Sequence, residues 1–133
     1  MEGSVSEQNE TDPRIGTTLD GRYHLLRRLG AGGFGVVYEA EHVLIRRKVA
    51  VKMLHAHVDA DADLLARFKR EAIAATATGH AHIVEVLDMG RASDGAAYMV
   101  LELLSGRDWA AVLEAEGLQP LGRTVHIVRQ VLD

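Results

Sequence analysis

The chain has 133 residues, 47% of them hydrophobic and 26% charged, with 13 glycines and no cysteine. That length holds one domain at most, and the absence of cysteine excludes disulfides and thiolate metal sites. The net charge of −4 is local. Glu2, Glu7, Glu10 and Asp12 precede the first basic residue, Arg14, and the 15 acids beyond them balance the 15 lysines and arginines. No basic stripe suggests nucleic acid, no run of about 18 apolar residues suggests a membrane span, and the acidic, polar start is no secretory signal.

Residues 1–14 are rich in Ser, Glu, Gln, Asn and Thr and contain Pro13, which reads as a disordered acidic leader. Two β-patterned runs follow, Tyr23 to Leu29 and Val36 to His42, forming a hairpin around a glycine-rich turn. Lys48 to Leu54 is the third strand. Asp59, Asp61 and Asp63 are N-terminal helix signals, since acids complement the helix dipole. They predict a helix from about Asp61 to Thr78 that stops near Gly79. Ile83 to Met89 and Ala96 to Leu103 read as two more strands, joined by a turn through Asp94-Gly95. A helix from about Arg107 to Glu116 comes next, and another apolar-periodic run begins near Leu121 and continues to the last residue, Asp133. Five antiparallel strands with one long helix make a small α+β lobe.

The most informative stretch is Leu29-Gly30-Ala31-Gly32-Gly33-Phe34-Gly35-Val36-Val37-Tyr38, followed by Val49-Ala50-Val51-Lys52. Glycines let the backbone approach phosphate oxygens and donate N–H groups to them, and a strand lysine adds a point charge. Together they predict a nucleoside triphosphate site. Gly30, Gly32 and Gly35 alone would also suit a dinucleotide fold. In that fold, however, the loop opens a helix, with an acid about 20 residues on. Here the residues after Gly35 are β-branched and aromatic, which favours strand, and the residue 22 positions after Gly30 is Lys52.

The long helix gives an independent check. At about 100° per residue, Leu64, Leu65, Phe68, Ala72 and Ala75 share one face, and Glu71 is expected within it. A carboxylate there needs a partner, because an unpaired buried charge is costly. Lys52 is the natural one.

With the glycine loop, V-A-x-K and the helix glutamate in this order, the chain resembles the N-terminal lobe of protein kinases. It is most similar to the bacterial members of the eukaryotic-type Ser/Thr kinase family, with Leu19-Asp20-Gly21-Arg22-Tyr23 as the entry to the domain. The resemblance covers residues 15–133, with the N-lobe at 15–104 and the start of a C-lobe at 105–133. It implies transfer of the ATP γ-phosphate to protein Ser or Thr hydroxyls, with ATP and Mg²⁺ as cofactors and a protein as substrate. Lys52 would contact the α and β phosphates and be oriented by Glu71. Leu29, Gly30, Ala31, Gly32, Gly33, Phe34 and Gly35 would form the ATP loop, with Phe34 either a lid over the phosphates or ordinary packing. Val37 and Ala50 would face adenine, and Leu101 would control access to the back pocket. Backbone groups of Glu102 and Leu104 would read the adenine edge. Asp108 could reach a ribose hydroxyl, or simply serve as an N-terminal helix charge. Dimerisation between kinase domains is compatible with the family.

His55-Ala56-His57 and His80-Ala81-His82 each put two imidazoles two residues apart, one face if on a strand. Neither has supporting metal-ligand spacing, so no metal site is expected in this chain. His80-Ala81-His82-Ile83-Val84 instead resembles the family's H-P-N-I-V junction, departing at two positions. The 133 residues contain no H-R-D-x-x-x-x-N, D-F-G or A-P-E, the segments that supply the catalytic base and the Mg²⁺ ligands. The expectation is therefore a cytoplasmic kinase represented in part, not catalytically competent alone, with any membrane anchor in a later segment. The alternative is a non-catalytic module that binds a nucleotide or another kinase. A dinucleotide-dependent oxidoreductase fits least.

Overall fold

The computed structural model describes residues 12–132. The expected leader falls largely on residues 1–11, outside the described residues. Asp12 to Arg14, expected to belong to it, are tied to the sheet. The Tyr38 hydroxyl donates to the Asp12 carboxylate at 2.6 Å, and Arg14 pairs with Asp94 at 2.7 Å.

Six antiparallel strands form one sheet in the order β1-β2-β3-β4-β6-β5. They are β1 (Thr18–Leu19), β2 (Tyr23–Ala31), β3 (Gly35–His42), β4 (Lys48–Leu54), β5 (Val86–Arg91) and β6 (Ala97–Glu102). The helices are α1 (Ala56–Asp59), α2 (Ala62–Thr78), α3 (Trp109–Glu116) and α4 (Leu121–Leu132). The α+β lobe expected from the sequence is present, with one more strand. That strand, β1, pairs with β2 across Asp20 (φ 50) and Gly21 (φ 66). Positive φ at both central positions is the tight-hairpin geometry that an Asp-Gly pair supplies.

Side chains alternate across each strand, so the sheet buries two clusters. Leu25, Tyr38, Val49, Val51, Met53, Tyr98 and Val100 pack on one face, together with Leu19 and Tyr23. Burying a side chain as fully as Leu25 or Val51 contributes about 1.5–3 kcal/mol. On the other face, Leu54, Ala97 and Met99 meet Val58 of α1 and Phe68 and Ala72 of α2. That contact fixes α2 on this face of the sheet, against β5.

The predicted helix start and stop are both seen. The Asp61 carboxylate caps α2, accepting from the N–H groups of Asp63 (3.0 Å) and Leu64 (3.2 Å). Gly79 ends the helix in the left-handed region, φ 58. The fifth strand begins at Val86 rather than the expected Ile83, because residues 80–83 are spent on a turn in which Ile83 N–H donates to the His80 carbonyl. His82 Nδ1 lies 3.1 Å from the Gln130 carbonyl, linking that turn to α4.

Candidate functional site

Register places the predicted nucleotide residues. Val37 stands opposite Lys52, which stands opposite Met99, while Ala50 stands opposite Leu101. Directly opposed residues share a face, so Val37, Ala50, Lys52 and Leu101 lie on the α2 side of the sheet. Gly30 pairs with Val37, which brings the glycine-rich turn beside the same face.

Within that turn the glycines differ. A Cβ built on Gly30, Gly32 or Gly33 would meet nothing within 4 Å, whereas one on Gly35 would lie 1.9 Å from the Met53 carbonyl oxygen. Gly35 lets two strands approach, and the other three leave the loop open to a ligand. The turn is closed by Gly32 N–H donating to the Gly35 carbonyl at 3.0 Å.

Phe34, Lys52, Leu64, Arg67, Phe68 and Glu71 line a cavity of about 130 Å³ between the turn, β4 and α2. That volume takes a small group, not a drug-sized ligand, for which about 300–1,000 Å³ is usual. Phe34 lines this cavity and is 48% exposed.

Lys52 and Glu71 thus line one cavity, but no ion pair joins them. The expectation that Glu71 sits in the buried face is corrected: its side chain is 64% exposed, and it pairs with Arg67 at 3.0 Å. Glu71 adjoins Ala72 in sequence, which puts it about 100° round the helix from that buried residue. The i,i+4 spacing supplies a cation on its own helix. Arg67 is a site residue that the sequence reading missed, although the four-residue offset from Glu71 is a visible charge signal.

His55 is a second such residue. Its backbone N–H donates to the Phe34 carbonyl at 2.9 Å, and its Nε2 lies 2.9 Å from the Gly32 carbonyl. His55 and His57 do not lie on a strand. β4 ends at Leu54, and the two residues flank the start of α1 with rings stacked 5.4 Å apart. Among the described residues, no cluster of three or more histidine or acidic side chains is placed to hold a metal ion.

Beyond β6 the chain runs through Leu103 and Leu104. Leu101 packs against the α2-side cluster. Glu102 is held twice: its N–H donates to the Glu85 carbonyl at 3.0 Å, and its carboxylate accepts from Glu85 N–H at 2.9 Å. Leu104 is 63% exposed. Asp108 is the N-cap of α3, accepting from Ala111 N–H at 2.7 Å. Of its two expected roles, the structure displays the helix-terminal one. Leu29 and Ala31 close β2 at the edge of the turn.

Comparison with known proteins agrees with this fold. The protein kinase domain family matches residues 23–133. The chain is 41% identical over 115 residues to the serine/threonine-protein kinase pkn2 of Myxococcus xanthus, covering 86% of this chain and 14% of that protein. It is 43% identical over 124 residues to Pkn1 of the same organism, covering 92% and 17%. It is also 34% identical over 118 residues to PrkC of Bacillus subtilis, covering 89% and 18%. The chain therefore spans less than a fifth of these relatives' length. Among solved structures, the Mycobacterium tuberculosis PknI kinase domain superposes with a TM-score of 0.76 at 30% identity, over 91% of this chain and 49% of that one. With Phe34 of the glycine turn, the strand lysine and the α2 glutamate lining one cavity, and with the family match running from Tyr23 onward, the chain belongs to the protein kinase domain family.

Proposed function

We propose that this chain is the nucleotide-binding lobe of a serine/threonine protein kinase that transfers the γ-phosphate of Mg²⁺-ATP to protein hydroxyls. The observation that carries the reading is the convergence of Phe34, Lys52 and Glu71 on one cavity beneath the glycine turn. The residues fit the nucleotide. Three glycines leave open space where side chains would obstruct phosphates, and the Lys52 ammonium supplies a charge for them. Val37, Ala50 and Leu101 give the base an apolar wall, and backbone groups at Glu102 and Leu104 give it an edge to read. Mg²⁺, when bound with the nucleotide, neutralises charge on the β and γ phosphates. The H-R-D-x-x-x-x-N and D-F-G residues that would hold it and supply the base in a protein kinase are not among these 133 residues.

In this lobe, then, catalysis is positioning and charge placement. Lys52 holds the phosphates once Glu71 leaves Arg67 and orients the ammonium. The test is phosphorylation of the protein itself and of a general acceptor such as myelin basic protein by the full-length product carrying this lobe. Wild type should transfer labelled phosphate to Ser and Thr, and Lys52→Met should abolish transfer while leaving the thermal midpoint unchanged. Mg²⁺-ATP binding without any transfer would favour the non-catalytic module. Full activity in Lys52→Met would remove Lys52 from the site.

A further inference from the structure

His55 is not used as its position suggests. It is the N-cap residue of α1, yet its side chain makes no capping bond. The imidazole instead turns back to the glycine turn, where Nε2 meets the Gly32 carbonyl at 2.9 Å. A carbonyl can only accept, so Nε2 carries the hydrogen. The backbone N–H of the same residue donates to the Phe34 carbonyl at 2.9 Å. One residue therefore grips two alternate carbonyls of the turn.

The consequence follows from peptide geometry. No peptide bond among the described residues is cis, and in a trans peptide the carbonyl and the following N–H point in opposite directions. Holding the Gly32 and Phe34 carbonyls on His55 turns the Gly33 and Gly35 N–H groups away from it. Neighbouring backbone N–H groups held in one orientation make an anion-binding concavity. A glycine turn without this grip would sample many orientations, since glycine has the largest conformational freedom to lose.

Resting on the nucleotide reading above, we propose that His55 is a positioning residue for phosphate binding: it fixes two peptide planes of the glycine turn so that the Gly33 and Gly35 amides face the phosphate chain. The grip has two separable parts. His55→Gln keeps a side-chain N–H donor. His55→Ala removes the side-chain bond alone. His55→Pro removes both bonds yet suits the backbone, since His55 has φ −64 and proline is fixed near −65°.

The experiment measures the affinity of the full-length protein for a fluorescent ATP analogue with Mg²⁺, and amide hydrogen exchange at Gly32 without nucleotide. His55→Ala should weaken binding about two- to tenfold, the net worth of one hydrogen bond. His55→Pro should weaken it further, and His55→Gln should stay near wild type. Gly32 exchange, protected by its bond to the Gly35 carbonyl, should quicken in the same order. Wild-type affinity and exchange in His55→Ala, with binding lost in Lys52→Met, would overturn the role of His55 and leave the nucleotide site standing. No binding by wild type would overturn both.

Discussion

Gly35→Ala is the sharpest perturbation of this lobe, because the structure predicts opposite effects at neighbouring glycines. A Cβ at Gly35 would lie 1.9 Å from the Met53 carbonyl oxygen, 2.8 Å from its carbon and 3.1 Å from Leu54 Cα. All three are backbone atoms of β4, where Met53 is paired by β3 and β6 and Leu54 by β3, so none can rotate away as a side chain could. Overpacking of this kind costs about 1–3 kcal/mol, and opposing backbone puts Gly35→Ala at the upper end. Gly33→Ala is the control. Its Cβ meets nothing within 4 Å, and its φ lies outside the left-handed region. Such a change stabilises by about 0.4–1 kcal/mol through the unfolded chain. The two variants should differ by roughly 3 kcal/mol, or about 10 °C in thermal midpoint for a domain of this size. Circular dichroism melts of both, with urea titrations to check that the slopes agree, measure it. A Gly35→Ala midpoint within 2 °C of that of Gly33→Ala would refute the close approach of β3 to β4. Mg²⁺-ATP affinity separates the roles further, since Gly33→Ala should weaken binding without destabilising the fold.

Three other outcomes are expected. The hydroxyls of Tyr23, Tyr38 and Tyr98 donate to Asp88, Asp12 and Asp20. Burial first, and then the carboxylates, raise all three above 10, Tyr23 to about 12. Groups whose pKa is raised by folding contribute stability fully below their unfolded value, and it is lost as pH rises through the folded one. Urea midpoints should therefore hold to about pH 9.5 and fall toward pH 12, and a flat profile would contradict the pairing. Arg67→Gln removes the exposed partner of Glu71, an i,i+4 pair worth about 0.3–0.5 kcal/mol. The melt should barely move and Mg²⁺-ATP binding should tighten about twofold as Glu71 becomes available to Lys52; weakening beyond threefold would show that Arg67 itself meets the phosphates. Asp61→Ala should cost about 1 kcal/mol by leaving the first turn of α2 uncapped, and Asp61→Ser should recover most of it in the same denaturation assay.

What was legible in the sequence depended on how local its cause was. The α2 boundaries were readable because Asp61 and Gly79 act on their own turns. The hairpin around the glycine turn was readable because β-branched runs flank it. The strand β1 was missed although its Asp20-Gly21 turn carries the same signal as Asp94-Gly95, because a two-residue strand leaves no alternation to detect. The site divides in the same way. Register alone puts Val37, Ala50, Lys52 and Leu101 on one face, and alternation along the strands predicts that. Where Glu71 finds its partner is a competition between a lysine on another element and an arginine one helical turn away. Helical spacing ranks these wrongly, because it treats the apolar stripe as wide enough to include residue 71. Burial stops at Phe68 and Ala72, and on the exposed edge the same-helix cation needs no displacement to reach the carboxylate. Lys52 must gain a competing interaction to reverse that order, and under the proposed function bound phosphate would supply one by fixing the ammonium near α2. On that proposal the Arg67–Glu71 pair and the nucleotide would act on the same carboxylate in opposite directions, so the strength of that pair would set how much binding energy is diverted into orienting Lys52.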